Sequence, residues 1–250
     1  MKYAPTNRFK DFFKEGKYVT LKNYLYNYLL RKIAVEKSLQ NEKLEIVLEL
    51  GSGISPVMTR TDRIIYTDLS FSALKVLKRK HGRGRYVVSD AIHLPFKPGV
   101  FSHTICSEVL EHIEDDQKAI KELARVMKPS SRLIITFPHR RKYFAYDDRF
   151  VNHLRRYELP EMVERLKAAG FKPAVIRKVL GPLEKVTMCF VVFWFSVLQK
   201  RKSRKVKKTR KIGRIDAFVP FFDWLNRLYM GLIWLDAMIM PRALSTVLLI

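Results

Sequence analysis

The sequence predicts an α/β fold in which a doubly wound, mostly parallel sheet carries helices on both faces. From residue 46 onward, short apolar runs typical of strands alternate with longer stretches of helical periodicity. Repeated strand–helix units place their crossover helices on both faces of a parallel sheet. A glycine-rich corner at residues 51–53 directly follows the first apolar run. The length of 250 residues, 48% of them hydrophobic and 29% charged, suits one globular domain with additions at its ends.

Each element follows from its own pattern. Five strands are predicted at 46–50, 64–67, 86–88, 101–106 and 132–137. A sixth is predicted in the segment that begins at Gly170, after a glycine-terminated helix. The predicted helices cover 70–80, 109–127 and 159–169. The first crossover contains Pro56 and is short, so it predicts a helix of only one or two turns.

The N-terminal region, residues 1–40, predicts an amphipathic helix. Its apolar positions recur at intervals of three and four residues; the set is Tyr18, Leu21, Leu25, Tyr28 and Leu29, with Lys32 on the same face. Such a helix either packs on the main domain or acts as a lid or a membrane-contacting element.

The composition changes after residue 180. Residues 186–198 are apolar but fall short of the roughly 20 residues that a membrane span needs. Residues 200–214 contain ten basic residues and no acid. Residues 217–240 are rich in aromatics but interrupted by charges, which suits a helix lying in an interface. The basic run is open to three interpretations: a solvated loop, a membrane contact or an RNA contact.

Two glycines and two acids lie where a nucleotide-like ligand would bind. In open parallel sheets, ligands bind beyond the carboxyl ends of the strands. The Gly51-Ser52-Gly53 corner lets a ligand approach the backbone closely. Asp68 ends the second predicted strand and can accept hydrogen bonds from ribose hydroxyls, while Asp90 ends the third and can reach an adenine amino group. Either acid alone would also suit a turn or a helix cap. Pro56 replaces the third glycine of the dinucleotide fingerprint, which argues against NAD.

These segments resemble the class I S-adenosylmethionine-dependent methyltransferases, most closely the small-molecule group that includes quinone-biosynthesis enzymes. The resemblance covers about residues 46–179 and rests on "LELGSG", "YTDLS", "SDAIHLPF", "CSEVLEHIED" and "ELARVMKPSSRLIITFP", in that order. It implies S-adenosylmethionine as the cofactor and a Rossmann-like sheet of seven strands whose last strand is antiparallel. The segment "STVLLI" is the candidate for that strand, so that a helical insertion precedes it.

The resemblance also implies the cofactor-binding residues. They are Glu49, Gly51, Ser52, Gly53, Asp68, Leu69, Asp90, Ala91 and Ser107. Glu49 and the glycines would hold the methionine end, with Ser107 nearby. Asp68 would hold the ribose, and Asp90 with Ala91 the adenine.

Two histidines are candidates for chemistry on the acceptor. Methyl transfer from a sulfonium mainly requires alignment of nucleophile and methyl carbon, and a base helps when the acceptor is a hydroxyl. His153 precedes a helix expected to border the acceptor pocket, and His112 follows the fourth strand. His112 could equally be a packing or capping residue. Histidine and cysteine show no metal-ligand spacing, so no metal site is predicted.

The chain divides into four predicted parts. They are a helical segment (1–40), the methyltransferase core (41–180), a hydrophobic and basic helical insertion (181–243) and a closing strand (244–250). Two unpaired cysteines and the absence of an apolar leader in residues 1–18 predict a cytoplasmic protein, or one peripheral on the inner face of the membrane.

The charge balance predicts polyanionic partners. The chain has 48 Lys+Arg against 24 Asp+Glu, a formal net charge of +24. We therefore expect a methyltransferase that acts on a hydrophobic, lipid-linked or anionic small molecule at an anionic membrane surface. The alternatives are an RNA methyltransferase, for which no RNA-binding module is recognisable, and a protein that binds S-adenosylmethionine without turnover.

Overall fold

Seven strands form a single sheet in the order β3-β2-β1-β4-β5-β7-β6. The computed structural model describes residues 25–190 and 219–250. The strands are β1 (Val47–Leu50), β2 (Ile64–Asp68), β3 (Arg85–Val88), β4 (Phe101–Ser107), β5 (Met127–Pro138), β6 (Arg177–Leu180) and β7 (Val247–Leu249). Strands β1 to β5 pair in parallel, and β7 runs antiparallel to both β5 and β6. The predicted sheet and its antiparallel last strand are confirmed.

Helices flank the sheet. They are α1 (Tyr26–Ser38), α2 (Phe71–His81), α3 (Asp116–Val126), α4 (Tyr146–Phe150), α5 (Leu159–Ala168), α6 (helical over 182–190) and α7 (Val219–Ile239). Local signals explain the ends of α2: the Ser70 hydroxyl accepts a hydrogen bond from the Ala73 amide, and Gly82 ends the helix with φ of 70°.

Two apolar cores, one on each face of the sheet, position these helices. Alternate strand residues point to opposite faces, so Val47, Ile105 and Ile134 join one core while Leu48, Cys106 and Ile135 join the other. The first core also contains buried residues of α1, α2 and α7, and the second contains residues of α3 and α5. The sheet is therefore doubly wound, and its central strands are buried on both sides.

The first crossover differs from its prediction. No helix forms between β1 and β2, where the chain makes only turns and bends. Pro56 lacks an amide hydrogen, and the amides of Val57 and Met58 donate to the Glu49 carboxylate at 2.8 and 3.1 Å. These two amides of the first crossover therefore bond to a side chain and not to the carbonyl oxygens of a helix.

The helix predicted over 109–127 is also interrupted. A 3₁₀ turn (Leu110–His112) is followed by α3, which begins at Asp116 because the Asp115 side chain caps it through the Lys118 amide. Strand β5 starts at Met127, earlier than the predicted residue 132.

The described parts of the insertion, α6 and α7, lie between β6 and β7 in the chain. Helix α7 packs against β6 and α1, where Asn226 Oδ1 accepts a hydrogen bond from the Tyr26 amide and the Tyr26 and Tyr229 rings meet edge-on at 5.2 Å. Within residues 25–190 and 219–250, no helix is both long and apolar enough to cross a membrane. Predictions for residues 1–24 and 191–218, including Tyr18, Leu21 and the basic run, lie outside the described residues.

Candidate functional site

The glycine corner after β1 brings the backbone close to the loop after β4. Gly51 has φ of +67°, and a Cβ placed on it would lie 2.4 Å from Val109 Cγ2. Gly53 also has positive φ, 56°, and its amide donates to Asp68 Oδ2 at 2.9 Å. A side chain at position 51 would collide with Val109, so glycine is needed there for the corner to pack against the loop after β4. The Gly51 backbone also lines the cavity described below.

Glu49 accepts hydrogen bonds from the backbone that follows the glycine corner. Its carboxylate is buried and accepts the hydrogen bonds from Val57 and Met58 described above. Burial raises the pKa of Glu49 to about 8, although the two amides favour its charged form. The structure shows Glu49 shaping the cradle, and its contact with the methionine end of the cofactor remains a prediction.

The acids at the ends of β2 and β3 lie along the same edge of the sheet as the glycine corner. Asp68 Oδ1 accepts from the Ser70 amide at 2.8 Å, so both oxygens of this carboxylate are fixed by backbone amides. Asp90 Oδ1 accepts from the Ile92 amide at 3.1 Å. Because the strands run β3-β2-β1-β4, Asp90, Asp68, Gly51 and Ser107 follow one another along one edge of the sheet. This order suits an extended ligand with a base at one end and an amino acid at the other. Leu69 and Ala91, each half-buried, adjoin the two acids.

A cavity of about 210 Å³ opens at the carboxyl ends of β1 and β4. Six predicted residues line it, namely Glu49, Gly51, Ser52, Ser107, His112 and His153. A larger cavity of about 1070 Å³ lies at the opposite end of β4 and β5. The smaller one is the candidate site, because ligands of open parallel sheets bind at the carboxyl ends.

Arg31 of α1 is a cavity residue that the sequence motifs did not reveal. Its Nη1 lies 3.5 Å from the Ser107 hydroxyl, which is itself 2.7 Å from the Thr136 hydroxyl. It brings a guanidinium to the end of the site where the amino-acid part of the predicted cofactor would lie, so it can pair with a carboxylate there. Only the packing of α1 places it there.

The two predicted catalytic histidines lie side by side, with ring centroids 4.8 Å apart. His112 Nδ1 lies 3.1 Å from the Asn152 carbonyl oxygen, and His153 Nδ1 lies 2.8 Å from Asp148 Oδ1. A carbonyl oxygen and an ionised carboxylate only accept hydrogen bonds, so Nδ1 carries the hydrogen in each neutral ring. The lone pair of each ring is therefore on Nε2.

Glu111 joins the histidines in a group that we call the Glu111 centre: Glu111, His112 and His153. Glu111 is fully buried, and neither carboxylate oxygen has a hydrogen-bond partner among the described residues. His153 Nε2 lies 3.7 Å from Glu111 Oε1. Burial, with the nearby Glu108 carboxylate, raises the pKa of Glu111 well above its ordinary value.

The Glu111 centre can do two things chemically. One ligand atom from each of its residues lies within 4.8 Å of the others, and two imidazoles with a carboxylate can hold a divalent cation. Without a cation, a histidine Nε2 can accept a proton from an acceptor hydroxyl. The sequence spacing predicted no metal site because His153 lies far along the chain from its partners and only the fold brings them together.

Comparison with known proteins points to one enzyme family. A family model described as a methyltransferase domain matches residues 48–135. An uncharacterized protein of Methanocaldococcus jannaschii is 30% identical over 173 residues, covering 65% of this chain and 74% of that protein. The demethylmenaquinone methyltransferase of Streptomyces griseus is 30% identical over 106 residues, covering 41% of this chain and 46% of that enzyme. The chain thus matches less than half the length of the Streptomyces enzyme.

The fold has solved counterparts. A structure of an S-adenosylmethionine-dependent methyltransferase from Thermotoga maritima aligns with a TM-score of 0.59 at 19% identity, covering 70% of this chain and 85% of that one. At this identity the likeness shows the shared fold.

Proposed function

Because the chain belongs to the class I S-adenosylmethionine-dependent methyltransferases, we propose that it methylates a hydroxyl group of a hydrophobic or lipid-linked small molecule at an anionic membrane surface. Family membership establishes an enzyme that uses S-adenosylmethionine. The acceptor and the place of action are the proposal. The observation that carries it is the exposed apolar face of α7, which belongs to the same insertion that lines the cavity.

The cradle described above fits the cofactor, which when bound supplies an electrophilic methyl group on its sulfonium. Gly51 and Gly53 admit the ligand to the backbone, Asp68 accepts hydrogen bonds from the ribose, and Asp90 lies at the adenine end. Arg31 offers a guanidinium to the amino-acid end. These groups orient the ligand, and orientation supplies much of the rate in a displacement of this kind.

The Glu111 centre suits a hydroxyl acceptor. His153 Nε2 can take the hydroxyl proton while Asp148 holds its ring in place. A divalent cation at the same centre would lower the pKa of a bound hydroxyl instead. Either route makes an oxygen nucleophile near neutral pH. Methylation assayed with chelator and with added Mg²⁺, Mn²⁺ or Zn²⁺ separates the two routes.

Helix α7 presents an apolar stripe to solvent. From residue 224 to 238 its members recur every three or four residues, and Ile239 adjoins the last of them: Trp224, Leu228, Leu232, Leu235, Met238 and Ile239. Trp224 is 57% exposed and Ile239 is 67% exposed, while Ile233 and Ala237 on the opposite face are buried. A continuous exposed apolar stripe of this kind marks an interaction surface.

Three observations favour a membrane as the partner of that stripe. Val186 and Phe190 of α6 are each 67% exposed, so apolar exposure extends across both described insertion helices. The chain between them carries the ten basic residues of 200–214, and each basic residue near an anionic leaflet contributes about 1 kcal/mol. Glu184 and Met188 of α6 line the cavity, so an acceptor drawn from the membrane would enter beneath the insertion. The Streptomyces relative is named for a quinone, which supports a hydrophobic acceptor.

Vesicle co-sedimentation at low and high salt tests the proposal. We expect binding to anionic vesicles, weaker binding to neutral ones, and a loss with salt that disappears when the basic residues of 200–214 are replaced by Gln. Replacing Trp224, Leu228 and Leu232 by Ser should remove the vesicle binding that persists at high salt. The control is Arg149→Gln, a change of an exposed residue outside the insertion, which should leave that binding unchanged. Absence of vesicle binding together with salt-sensitive binding to structured RNA would overturn the proposal in favour of an RNA methyltransferase.

A further inference from the structure

A lysine of the insertion is buried against two adjacent aspartates of α4. Lys185 Nζ lies 2.6 and 2.7 Å from the two carboxylate oxygens of Asp147 and 2.7 Å from Asp148 Oδ2. Its side chain is only 10% exposed. A buried ammonium is costly unless it is paired, and here three carboxylate oxygens surround it. Lys185 lies outside residues 48–135, so the methyltransferase-domain match does not account for it.

The same Asp148 carboxylate holds His153. Its Oδ2 faces Lys185, and its Oδ1 accepts hydrogen bonds from His153 Nδ1 at 2.8 Å and from Arg156 Nε at 2.7 Å. Burial alone would raise the pKa of Asp148, but these hydrogen bonds and the charge of Arg156 hold it well below its ordinary range. Asp148 is therefore an ionised, acceptor-only group.

An acceptor-only partner at Nδ1 decides where the histidine carries its hydrogen. With Nδ1–H donated to Asp148, the lone pair of neutral His153 is on Nε2, the atom that lies 3.7 Å from Glu111 Oε1. The opposite tautomer would place two lone pairs against each other at Nδ1. A shift of the Asp148 carboxylate would therefore change both the orientation and the tautomer of His153.

We propose that Lys185 is a positioning residue which, through Asp148, fixes the orientation and tautomer of His153, so that the insertion completes the acceptor end of the active site. Arg156 anchors only Oδ1 and is itself tied to the carbonyl oxygens of His139 and Thr246. Oδ2 accepts hydrogen bonds from the Ala145 amide at 3.0 Å and from Lys185, which is its charged partner. Lys185 also neutralises the neighbouring Asp147, which would otherwise repel Asp148. The inference rests on the proposed function only in that His153 faces the acceptor.

The test is nitrogen NMR of the protein labelled at its six histidines, at a pH where they are neutral and without cofactor or acceptor. His153→Gln identifies the His153 signals. In the wild type we expect hydrogen on Nδ1 of His153. In Lys185→Met we expect the ratio of the Nδ1–H to the Nε2–H form to fall about tenfold, as loss of a charge-assisted anchor implies. The control is Lys178→Met, because the partners of Lys178 within the described part of the chain are the carbonyl oxygens of Met238 and Met240, so the ratio should stay unchanged.

A charge-balanced variant covers the case in which Lys185→Met does not fold. Lys185→Met/Asp147→Asn removes one charge of each sign and still lacks the anchor, so the same fall is expected. With any accepted acceptor, kcat should fall about 10- to 100-fold with little change in KM, the usual effect of losing a residue that orients a functional histidine. Hydrogen on Nε2 in the wild type, or an unchanged ratio in either folded variant, would overturn the proposal. The NMR result does not depend on vesicle binding or methylation, so it can fail or succeed separately from the proposed function.

Discussion

Individual acids at the strand ends fix the backbone of the turns where a cofactor is predicted to bind. Asp68 fixes the Gly53 and Ser70 amides, and Glu49 fixes those of Val57 and Met58. Each carboxylate thereby sets the backbone of the turn that a cofactor would touch. Changing either acid should affect ligand affinity and local structure at once.

The first prediction concerns Asp68. Asp68→Ala should weaken S-adenosylmethionine binding by about 1–3 kcal/mol, because a charge-assisted contact to the ribose is lost. Asp62→Ala is the control, since Asp62 is exposed and pairs only loosely with Arg83 at 3.8 Å. Isothermal calorimetry measures both. Unchanged affinity in Asp68→Ala would remove Asp68 from the site.

The second prediction concerns Glu184, a buried cavity residue. Burial raises its pKa to about 7 from the usual 4.5, so the folded state holds a proton that the unfolded state releases. The contribution of Glu184 to the free energy of unfolding should therefore be fully present below about pH 4.5. It should be lost as the pH rises to about 7, which lowers the free energy of unfolding by a few kcal/mol at most.

Urea unfolding between pH 5 and 8 measures this dependence. Glu184→Gln should flatten the curve, while the exposed Glu164→Gln should leave it unchanged. A curve of equal slope in Glu184→Gln and the wild type would show that Glu184 is ionised in the folded protein.

At the scale of elements, periodicity and turn residues were sufficient to predict strands β1 to β6 and most helices. Strand β7 was placed by the resemblance and not by its pattern, because "STVLLI" alone does not say which strands it joins. The first-crossover helix is missing because amides of that segment donate hydrogen bonds to Glu49. A periodic pattern in the sequence does not reveal such a contact. Glu111 and Lys185 were not predicted for a similar reason. Their contacts with the predicted His153 and its partner Asp148 form only where α4, α6 and the loop carrying His153 meet in the folded chain.

The third prediction concerns β7. It lies between β5 and β6, and Leu248 within it is fully buried. Deleting residues 245–250 should abolish the cooperative unfolding transition, because both neighbouring strands lose a ladder. Leu248→Ala should cost about 2–5 kcal/mol, the usual range for emptying a core leucine site.

Thermal melts test both changes in β7, with Ile250→Ala as a control of smaller expected effect, since Ile250 is only half-buried. A truncated protein that melts like the wild type would mean that β7 contributes nothing to the core.

The whole molecule carries a large surplus of positive charge. With 48 basic against 24 acidic residues, the folded chain repels itself more than an average protein does. The fourth prediction is that the melting temperature rises as NaCl is raised from about 20 to 300 mM, because a shorter Debye length screens the surface repulsion. Differential scanning calorimetry measures this. Salt should affect the buried ion pairs around Lys185 much less. A melting temperature that falls with salt would mean that exposed ion pairs stabilise the protein more than its net positive charge destabilises it.

The position of β7 also sets the order in which the protein can be assembled during its synthesis. Strand β6 has β7 as its neighbour in the sheet, so it cannot join before residues 247–249 have left the ribosome. At about 5–20 residues per second, translating residues 181–246 takes on the order of several seconds. Throughout that interval β5 presents an unpaired edge while the apolar segments of the insertion emerge. A nascent chain of this protein therefore passes through a period of open edge and exposed apolar surface that ends only when β7 arrives, and this interval is when it most needs a chaperone.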